Sequence, residues 1–475
     1  MDADAGLFPY QEEGAQWLTT KTRALLADEM GLGKTAQAIV ACDRIGATRI
    51  LVICPAIARL NWQREWHKFS SNMRAITVIE TQDGPPSWGT CVICSYDLAA
   101  RSGMRTALYA RLWDVVILDE SHYLSHRHTQ RTLAIYPGLV IRAERIWCLS
   151  GTPARNHAAE LYPMLAAFGL WSNGYWAFVR RFCRTRETIY GTKIIGSQRI
   201  DELKGLLAPV LLRRRKADVL KDLPSILYTD VVVEPSQVDL KQWYPEVDLG
   251  VKREETLLDE IAAQQTAIDA VCSVTRLGED GLLALKGLQV RTTLSRRYTG
   301  LSKTPKVAEM IDRELIDGAY QKIVLFCFHR DVMLDLFARL RRHHPLMVWG
   351  GTPNHERDVR VRKFQTQAKF RVFIGNIIAA GTAITLTAAH EVAFVESSWV
   401  PADNAQAAMR VHRIGQTEPV RVRFFSVAGS SDEVVQKVLR RKTKDITTLF
   451  GNPFGESADS SGTESPPFVN PFSET

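Results

Sequence analysis

Asp28-Glu29-Met30-Gly31-Leu32-Gly33-Lys34-Thr35 and, further on, Asp119-Glu120-Ser121-His122 carry side chains whose types and order could cradle a nucleoside triphosphate. Backbone N–H groups of a tight glycine-containing turn point inward at phosphates, and a helix that follows adds its positive N-terminus. Gly31 and Gly33 permit that turn, Lys34 can pair with the outer phosphates, and Thr35 can ligate magnesium. Asp119 would hold the same Mg2+, and Glu120 would orient or deprotonate the attacking water. A third segment, Gln406 to Gln416, carries Arg410 and Arg413, which share a face if the segment is helical. Arginines brought against the γ-phosphate would stabilise transition-state charge. The catalytic candidates are therefore Lys34, Glu120, Arg410 and Arg413. The rival readings are a glycine turn that binds nothing, a solvated acid pair capping a strand, and a solvated charged helix face.

These residues need a scaffold, and the apolar runs supply one. Ala24–Ala27, Ile50–Cys54, Cys91–Cys94, Val115–Leu118 and Ile146–Leu149 are apolar throughout, as strands buried on both faces of a parallel sheet should be. Candidate functional residues follow the C-terminal end of almost every run, where open α/β sheets place ligands. The phosphate loop follows one run and precedes a predicted helix, Thr35–Cys42. Asp28 departs from the general G-x-x-x-x-G-K-[ST] pattern, occupying the first glycine position. A second set, Ile323–Cys327, Val372–Gly375, Val392–Val395 and Val422–Val427, repeats the architecture. Residues 161–300 read as mostly helical, with an amphipathic charged stretch from Leu249 to Val274. The segment from Gly451 is rich in Ser, Pro and Gly and reads as disordered; its Asn-Pro-Phe triplets at Asn452 and Asn470 are a docking motif or chance.

The chain has 475 residues, a length suited to two or three domains. Its 45% hydrophobic and 24% charged content is that of a soluble globular protein. No apolar stretch is long enough for a membrane span, and Met1-Asp2-Ala3-Asp4 is no signal-peptide start. The expected setting is therefore intracellular. The eight cysteines fit that expectation. Cys91 and Cys94 form a CxxC, but Val92 and Ile93 make it part of a strand, and no second pair completes a zinc site. Net charge is +8, and residues after 450 contribute Glu456, Asp459, Glu464 and Glu474 but no Lys or Arg. The remaining body is thus more basic still, which favours a polyanion partner through phosphate neutralisation.

The segment Gln406-Ala407 through Arg410-Val411-His412-Arg413-Ile414-Gly415-Gln416 resembles the last motif of the Swi/Snf-like ATPases, a branch of helicase superfamily two. Asp28–Thr35 is similar to that family's own phosphate loop, which accounts for the missing first glycine. The resemblance runs from about residue 7 to 450 in the family's motif order. Leu7-Phe8-Pro9-Tyr10-Gln11 resembles the segment whose glutamine, here Gln11, reads adenine, and the same comparison assigns Gln416 to the nucleotide. Pro55 and Asn61-Trp62 through Phe69 resemble a motif on the nucleic-acid backbone, and Ser95-Tyr96-Asp97 a second one on the DNA side. Ser150-Gly151-Thr152-Pro153 looks like the element that couples hydrolysis to lobe movement. Leu211 to Pro224, with Arg213, Arg214, Lys216 and Asp218, resembles a brace from lobe one toward lobe two; a nuclear import signal is the rival reading of Arg213–Lys216. Gly350-Gly351-Thr352 with Arg357 and Phe364, Gly381 through Ala389, and Glu396, Trp399, Pro401 and Gln406 complete the pattern. Thr352 and Trp399 fall among its DNA contacts. Ala383 stands where a glycine is common, and Met409 where an acidic residue usually precedes the first arginine.

The resemblance implies an α/β fold of two RecA-like parallel-sheet lobes (a P-loop NTPase) with inserted helical protrusions. Lobe one would span 1–160, protrusions and brace 161–300, lobe two 301–450, and a disordered tail 451–475. It also implies ATP and Mg2+ in the cleft and double-stranded or branched DNA across the top, tracked without strand separation. No histone-reading, zinc-finger or DNA-targeting module is visible. The compact form is similar to bacterial or viral members, or to the fork-remodelling, strand-annealing branch. The alternatives are a strand-separating DNA or RNA helicase and a DNA-binding scaffold without turnover. No membrane partner is expected, and a recruiting protein is not identifiable from the sequence.

Overall fold

The computed structural model describes residues 6–81, 88–136, 141–188, 191–237, 279–380 and 384–428, with 430, 432, 435, 436 and 439. The stretch 249–274, Ala383 and the segment from Gly451 lie outside the described residues.

All nine apolar runs become strands. The first lobe contains β1 (Arg23–Leu26), β2 (Ile50–Cys54), β3 (Ile76–Val78), β4 (Cys91–Ser95), β5 (Trp113–Asp119) and β6 (Ala143–Leu149). After an antiparallel hairpin, β7 (Cys183–Thr188) and β8 (Gly191–Ser197), comes the two-residue strand β9 (Leu211–Leu212). The second lobe contains β10 (Ile226–Val232), β11 (Ile323–Cys327), β12 (Leu346–Val348), β13 (Val372–Asn376), β14 (Glu391–Phe394) and β15 (Val420–Ser426). The first sheet is seven-stranded, ordered β3-β4-β2-β5-β6-β1-β9, and the second six-stranded, ordered β10-β15-β14-β11-β13-β12. Every pairing within both is parallel.

The reason is burial on both faces. Along β1, β2 and β5, Leu25, Leu51, Ile53, Val116 and Leu118 pack on one side, while Ala24, Leu26, Val52, Val115 and Ile117 pack on the other. In the second sheet Val324, Phe326 and Phe394 alternate with Ile323, Leu325 and Ala393 in the same way. Each such aliphatic side chain contributes roughly 1.5–3 kcal/mol on full burial, so a run with no polar side is what these positions require. Cys91 and Cys94 are buried in β4 and belong to opposite faces of that sheet.

Residues 161–300 depart from the mostly helical expectation. Helices at Tyr162–Ala167, Tyr175–Phe182 and Ile200–Leu207 are present, but the β7–β8 hairpin, β9 and β10 lie among them. Strand β9 is the edge of the first sheet, and β10 pairs with β15 over seven residues at the edge of the second. The chain between them therefore joins the two sheets directly. Among the described residues, no helix is long and apolar enough to cross a membrane.

Candidate active site

The phosphate loop leaves β1 and runs into a helix at Lys34–Arg44. Gly31 and Gly33 adopt φ of +90° and +74°, a region open to glycine. A Cβ added at Gly33 would come within 2.3 Å of Gln11 Nε2. Gln11 is tied to the loop by that nitrogen, which donates to Leu32 O at 3.1 Å, while its Oε1 accepts from Phe8 N. Gln11 thus sits against the phosphate loop. Lys34 Nζ donates to the loop carbonyls of Asp28 (2.7 Å) and Glu29 (3.3 Å). Burial pulls its ammonium below the usual lysine value, opposed by the carboxylates of Glu120, Asp28 and Asp119. Thr35 is half-buried in the first turn of the helix.

Asp28 has a role of its own. It is fully buried, and its carboxylate accepts from Arg214 Nη2 (2.5 Å), Arg214 Nε (3.0 Å) and Gln37 Nε2 (3.1 Å). Arg213 adds bonds from Nη1 to Ala27 O (2.9 Å) and Gly151 O (3.2 Å). An acid at this position lets the segment after β9 lock onto the phosphate loop, which a glycine could not do.

Asp119 ends β5, and Glu120 follows with φ 50° and ψ 51°, left-handed for a residue with a Cβ. Such a conformation costs of order 1–3 kcal/mol and persists where its surroundings impose it. Those surroundings are visible. Asp119 Oδ2 accepts from Trp62 Nε1 at 2.7 Å, and Asp119 O accepts from Tyr96 Oη at 2.7 Å. His122 Nδ1 lies 3.3 Å from Glu120 Oε2 and 3.1 Å from Ser150 Oγ. Burial and the neighbouring Glu120 push Asp119 upward. Burial also opposes the charge of Glu120, but His122, Lys34 and Arg410 outweigh it and keep that carboxyl low.

Ser150, Gly151 and Thr152 follow β6 and lie against the phosphate loop. A Cβ at Gly151 would meet Met30 Cγ at 2.6 Å and Lys34 Nζ at 3.4 Å. Ser150 Oγ also accepts from Thr152 N at 3.2 Å, so one hydroxyl connects this turn to His122 and hence to Glu120.

The second lobe closes on this site. Gln406 Nε2 donates to Glu120 Oε1 at 2.9 Å, Met30 packs among the core residues of the second sheet, and Arg155 pairs with Asp403. Arg410 and Arg413 are not on one helix face, contrary to expectation. The helix ends at Ala408, and Arg410 N and Val411 N bond back to Ala407 O and Ala408 O in a tightening turn that leads to Gly415 at φ 94°. Burial, together with Arg413, draws the Arg410 guanidinium down to about 10, while Glu120 and Asp119 hold it up. Arg413 Nη1 donates to Thr385 Oγ1 at 2.9 Å.

Several assignments change. Gln416, expected at the nucleotide, is buried; its Nε2 donates to Thr387 O, Ala389 O and Val411 O, and its Oε1 accepts from Thr417 N and Glu418 N. It holds its own turn. Trp62 is fully buried and serves Asp119, which removes it from any DNA surface. Ser95 and Tyr96 are 2% exposed: Ser95 caps a short helix through Leu98 N, and Tyr96 bonds Asp119 O. Thr352 is buried as well, accepting from Trp349 N through its hydroxyl. Two DNA-side expectations remain at the surface. Asn61 is half-buried beside a small gap lined also by Arg64, Asn354, Arg357 and Asp358, so both lobes contribute to it. Trp399 is half-buried under the Arg296 guanidinium, 5.3 Å from its ring centre.

His122, Gln406 and Lys216 stand inside the motifs read from the sequence, which give none of them a role in the site. The acid pair drew attention to its own charges, whereas these three act through contacts with distant segments. The donor set fits a nucleotide with a divalent cation: positive-φ glycines open the loop, Lys34 lines it, and two adjacent half-buried carboxyls repel one another. Thr35 and Asp119 would hold the cation.

The SNF2-related domain matches residues 10–275, and the helicase conserved C-terminal domain matches residues 306–415. The chain is 31% identical over 446 residues to the Xenopus laevis SWI/SNF-related matrix-associated actin-dependent regulator of chromatin subfamily A-like protein 1, covering 92% of this chain and 43% of that protein. It is 28% identical over 461 residues to the Homo sapiens DNA annealing helicase and endonuclease ZRANB3, covering 93% of this chain and 40% of that one. This chain therefore spans less than half the length of these relatives. A Sulfolobus solfataricus SWI2/SNF2 ATPase core in complex with dsDNA is similar over 94% of this chain and 92% of its own, with 24% identity and a TM-score of 0.43. With the SNF2-related domain matched over more than half of its residues, the chain belongs to the SNF2-related family.

Proposed function

We propose that this chain is a DNA-dependent ATPase whose two lobes close on ATP and Mg2+, translocate on double-stranded DNA and remodel DNA or protein–DNA complexes. The observation that carries the reading is the cross-cleft bond from Gln406 to Glu120, which joins the water-orienting carboxylate to the segment bearing Arg410 and Arg413. Mg2+ would be held by Thr35 and Asp119 and would supply neutralisation of phosphate charge. Gln11 contacts the base side, Lys34 the phosphates, Glu120 holds the water, and the arginines complete the site when the lobes meet. Ser150 then reports the state of Glu120 through His122.

DNA suits the basic body, and around Asn61 both lobes present polar groups, among them Arg64 paired with Asp358. Such sequence-independent contacts suit a motor that must grip every step alike. Branched or forked DNA is the substrate suggested by the relative whose name describes DNA annealing, and the protein would work inside the cell, where that DNA is. We place the working units at 1–160 and 301–450, with 161–300 joining them and 451–475 as a tail.

Displacement of a third strand from a triplex tests translocation. ATP-dependent displacement with intact duplex beneath supports the proposal. Displacement accompanied by separation of the duplex would favour a strand-separating helicase.

A further inference from the structure

Lys216 lies in neither sheet, yet it touches both halves of the cleft. Its backbone N–H donates to Glu29 Oε2 at 2.7 Å, in the phosphate loop. Its Nζ donates to His412 O at 2.6 Å and approaches Met409 Sδ at 2.9 Å, both in the turn that carries Arg410 and Arg413. The side chain also flanks the loop: a Cβ added at Gly31 would sit 3.2 Å from Arg413 Cβ and 3.4 Å from Lys216 Cε. Lys216 is 4% exposed. A buried lysine side chain gives up solvation and conformational freedom, so it needs a compensating task.

The neighbouring residues show what that task is. Arg213 and Arg214 fix the same segment to Ala27, Gly151 and Asp28 on the first lobe. Eight residues after Lys216, Pro224 O lies 2.7 Å from His412 Nε2, on the second lobe. The arginine turn is thus held at one carbonyl and one imidazole by a strap anchored on the phosphate loop. Burial, with Arg413, Lys34 and Arg410 nearby, pulls the Lys216 ammonium down to about 7, against the pull of Glu29. Keeping an amine there in spite of three cations costs energy, which a mere space-filler would avoid.

We infer that Lys216 is a positioning residue: through its bond to the His412 carbonyl it fixes the Arg410–Arg413 turn against the phosphate loop, linking loop and arginines. This rests on the ATPase reading for its kinetic consequence, but its structural content stands alone. A phosphate at Gly31 would meet Lys216 on one side and Arg413 on the other.

The test uses the full chain with Lys216→Met, which keeps the aliphatic stem, and Lys216→Gln, which keeps a neutral donor. The first readout is amide hydrogen exchange of Val411 to Gly415 without nucleotide. Exchange should speed up about tenfold or more in Lys216→Met and less in Lys216→Gln; equal exchange in wild type and Lys216→Met overturns the inference. The second readout is kinetic. In Lys216→Met, kcat for ATP hydrolysis should fall by about tenfold with nucleotide Kd within about twofold. Loss of nucleotide affinity at unchanged kcat would make Lys216 a nucleotide ligand and overturn the positioning role. A wild-type protein without turnover on any nucleic acid would sink the ATPase reading, while the exchange result would still decide this one. If Lys216→Met does not fold, Lys216→Gln carries both readouts, with smaller effects in the same directions; wild-type behaviour of a folded Lys216→Gln in both would then count against the inference.

Discussion

Gln406 Nε2 and Glu120 Oε1 lie 2.9 Å apart, although 286 positions separate the two residues in the chain. One belongs to the helix at the mouth of the second sheet, the other to the turn that ends β5 in the first. A hydrogen bond to a charged acceptor contributes about 1.5–3 kcal/mol, so removing it should slow turnover by about one to two orders of magnitude. Gln406→Ala is expected to lower kcat with little change in nucleotide affinity. Glu120→Gln should retain ATP binding and abolish hydrolysis; normal turnover in that variant would refute Glu120 as the water-orienting group.

Arg413 and Lys34 should separate cleanly. Arg413→Ala is expected to lower the hydrolysis rate by about three orders of magnitude or more and to spare nucleotide affinity. Lys34→Ala should weaken both, because Lys34 lines the phosphate loop in the first lobe alone. Single-turnover rates alongside nucleotide titrations distinguish the two patterns, and a pure affinity loss for Arg413→Ala would argue against its role in the transition state.

Trp62 offers a sharper test, since its sequence context pointed at DNA and its geometry points at Asp119. Trp62→Phe removes the indole N–H that Asp119 accepts, together with the five-membered ring that carries it, and keeps an aromatic ring in the buried position. Partners of metal-ligating groups typically change metal affinity or activity by about 10–100-fold, so the variant should need more Mg2+ for the same rate while binding DNA as the wild type does. A selective loss of DNA affinity would restore the original assignment.

The fold was legible wherever burial alone decides. The runs at Ile50–Cys54 and Ile323–Cys327 are apolar on both sides because both sides are covered, and that pattern needs no knowledge of partners. Strands β9 and β10 were not legible: Leu211–Leu212 is too short to show a period, and β10 mixes Tyr228, Thr229 and Asp230 because it is an edge. In the site, Lys34, Asp119 and Glu120 could be found from type and spacing. Trp62, Tyr96 and Gln416 could not be placed, because a polar or aromatic side chain in a motif reads the same whether it faces a ligand or supports a neighbour. The spacing of Arg410 and Arg413 suggested a helix face, but the helix stops two residues before the first of them.

His412 gives a pH prediction. Burial first, then Lys216, pull its imidazole down to about 4 from the ordinary 6.5. Between those values the unfolded chain binds the proton more readily than the folded one, so stability rises with pH through this window and is lost as pH falls from 6.5 toward 4. His412→Gln keeps a donor for Pro224 O but cannot titrate. The melting temperature of the variant should fall less than that of the wild type on acidification through this range; parallel curves would show that His412 is not responsible.

A motor that burns ATP when it holds DNA is tested by steady-state hydrolysis. The rate would be measured at one salt concentration without nucleic acid and with single-stranded DNA, duplex DNA, forked DNA and RNA. Strong stimulation by duplex or forked DNA is expected. Stimulation by single strands or RNA alone, or no turnover with any of them, would contradict such a motor.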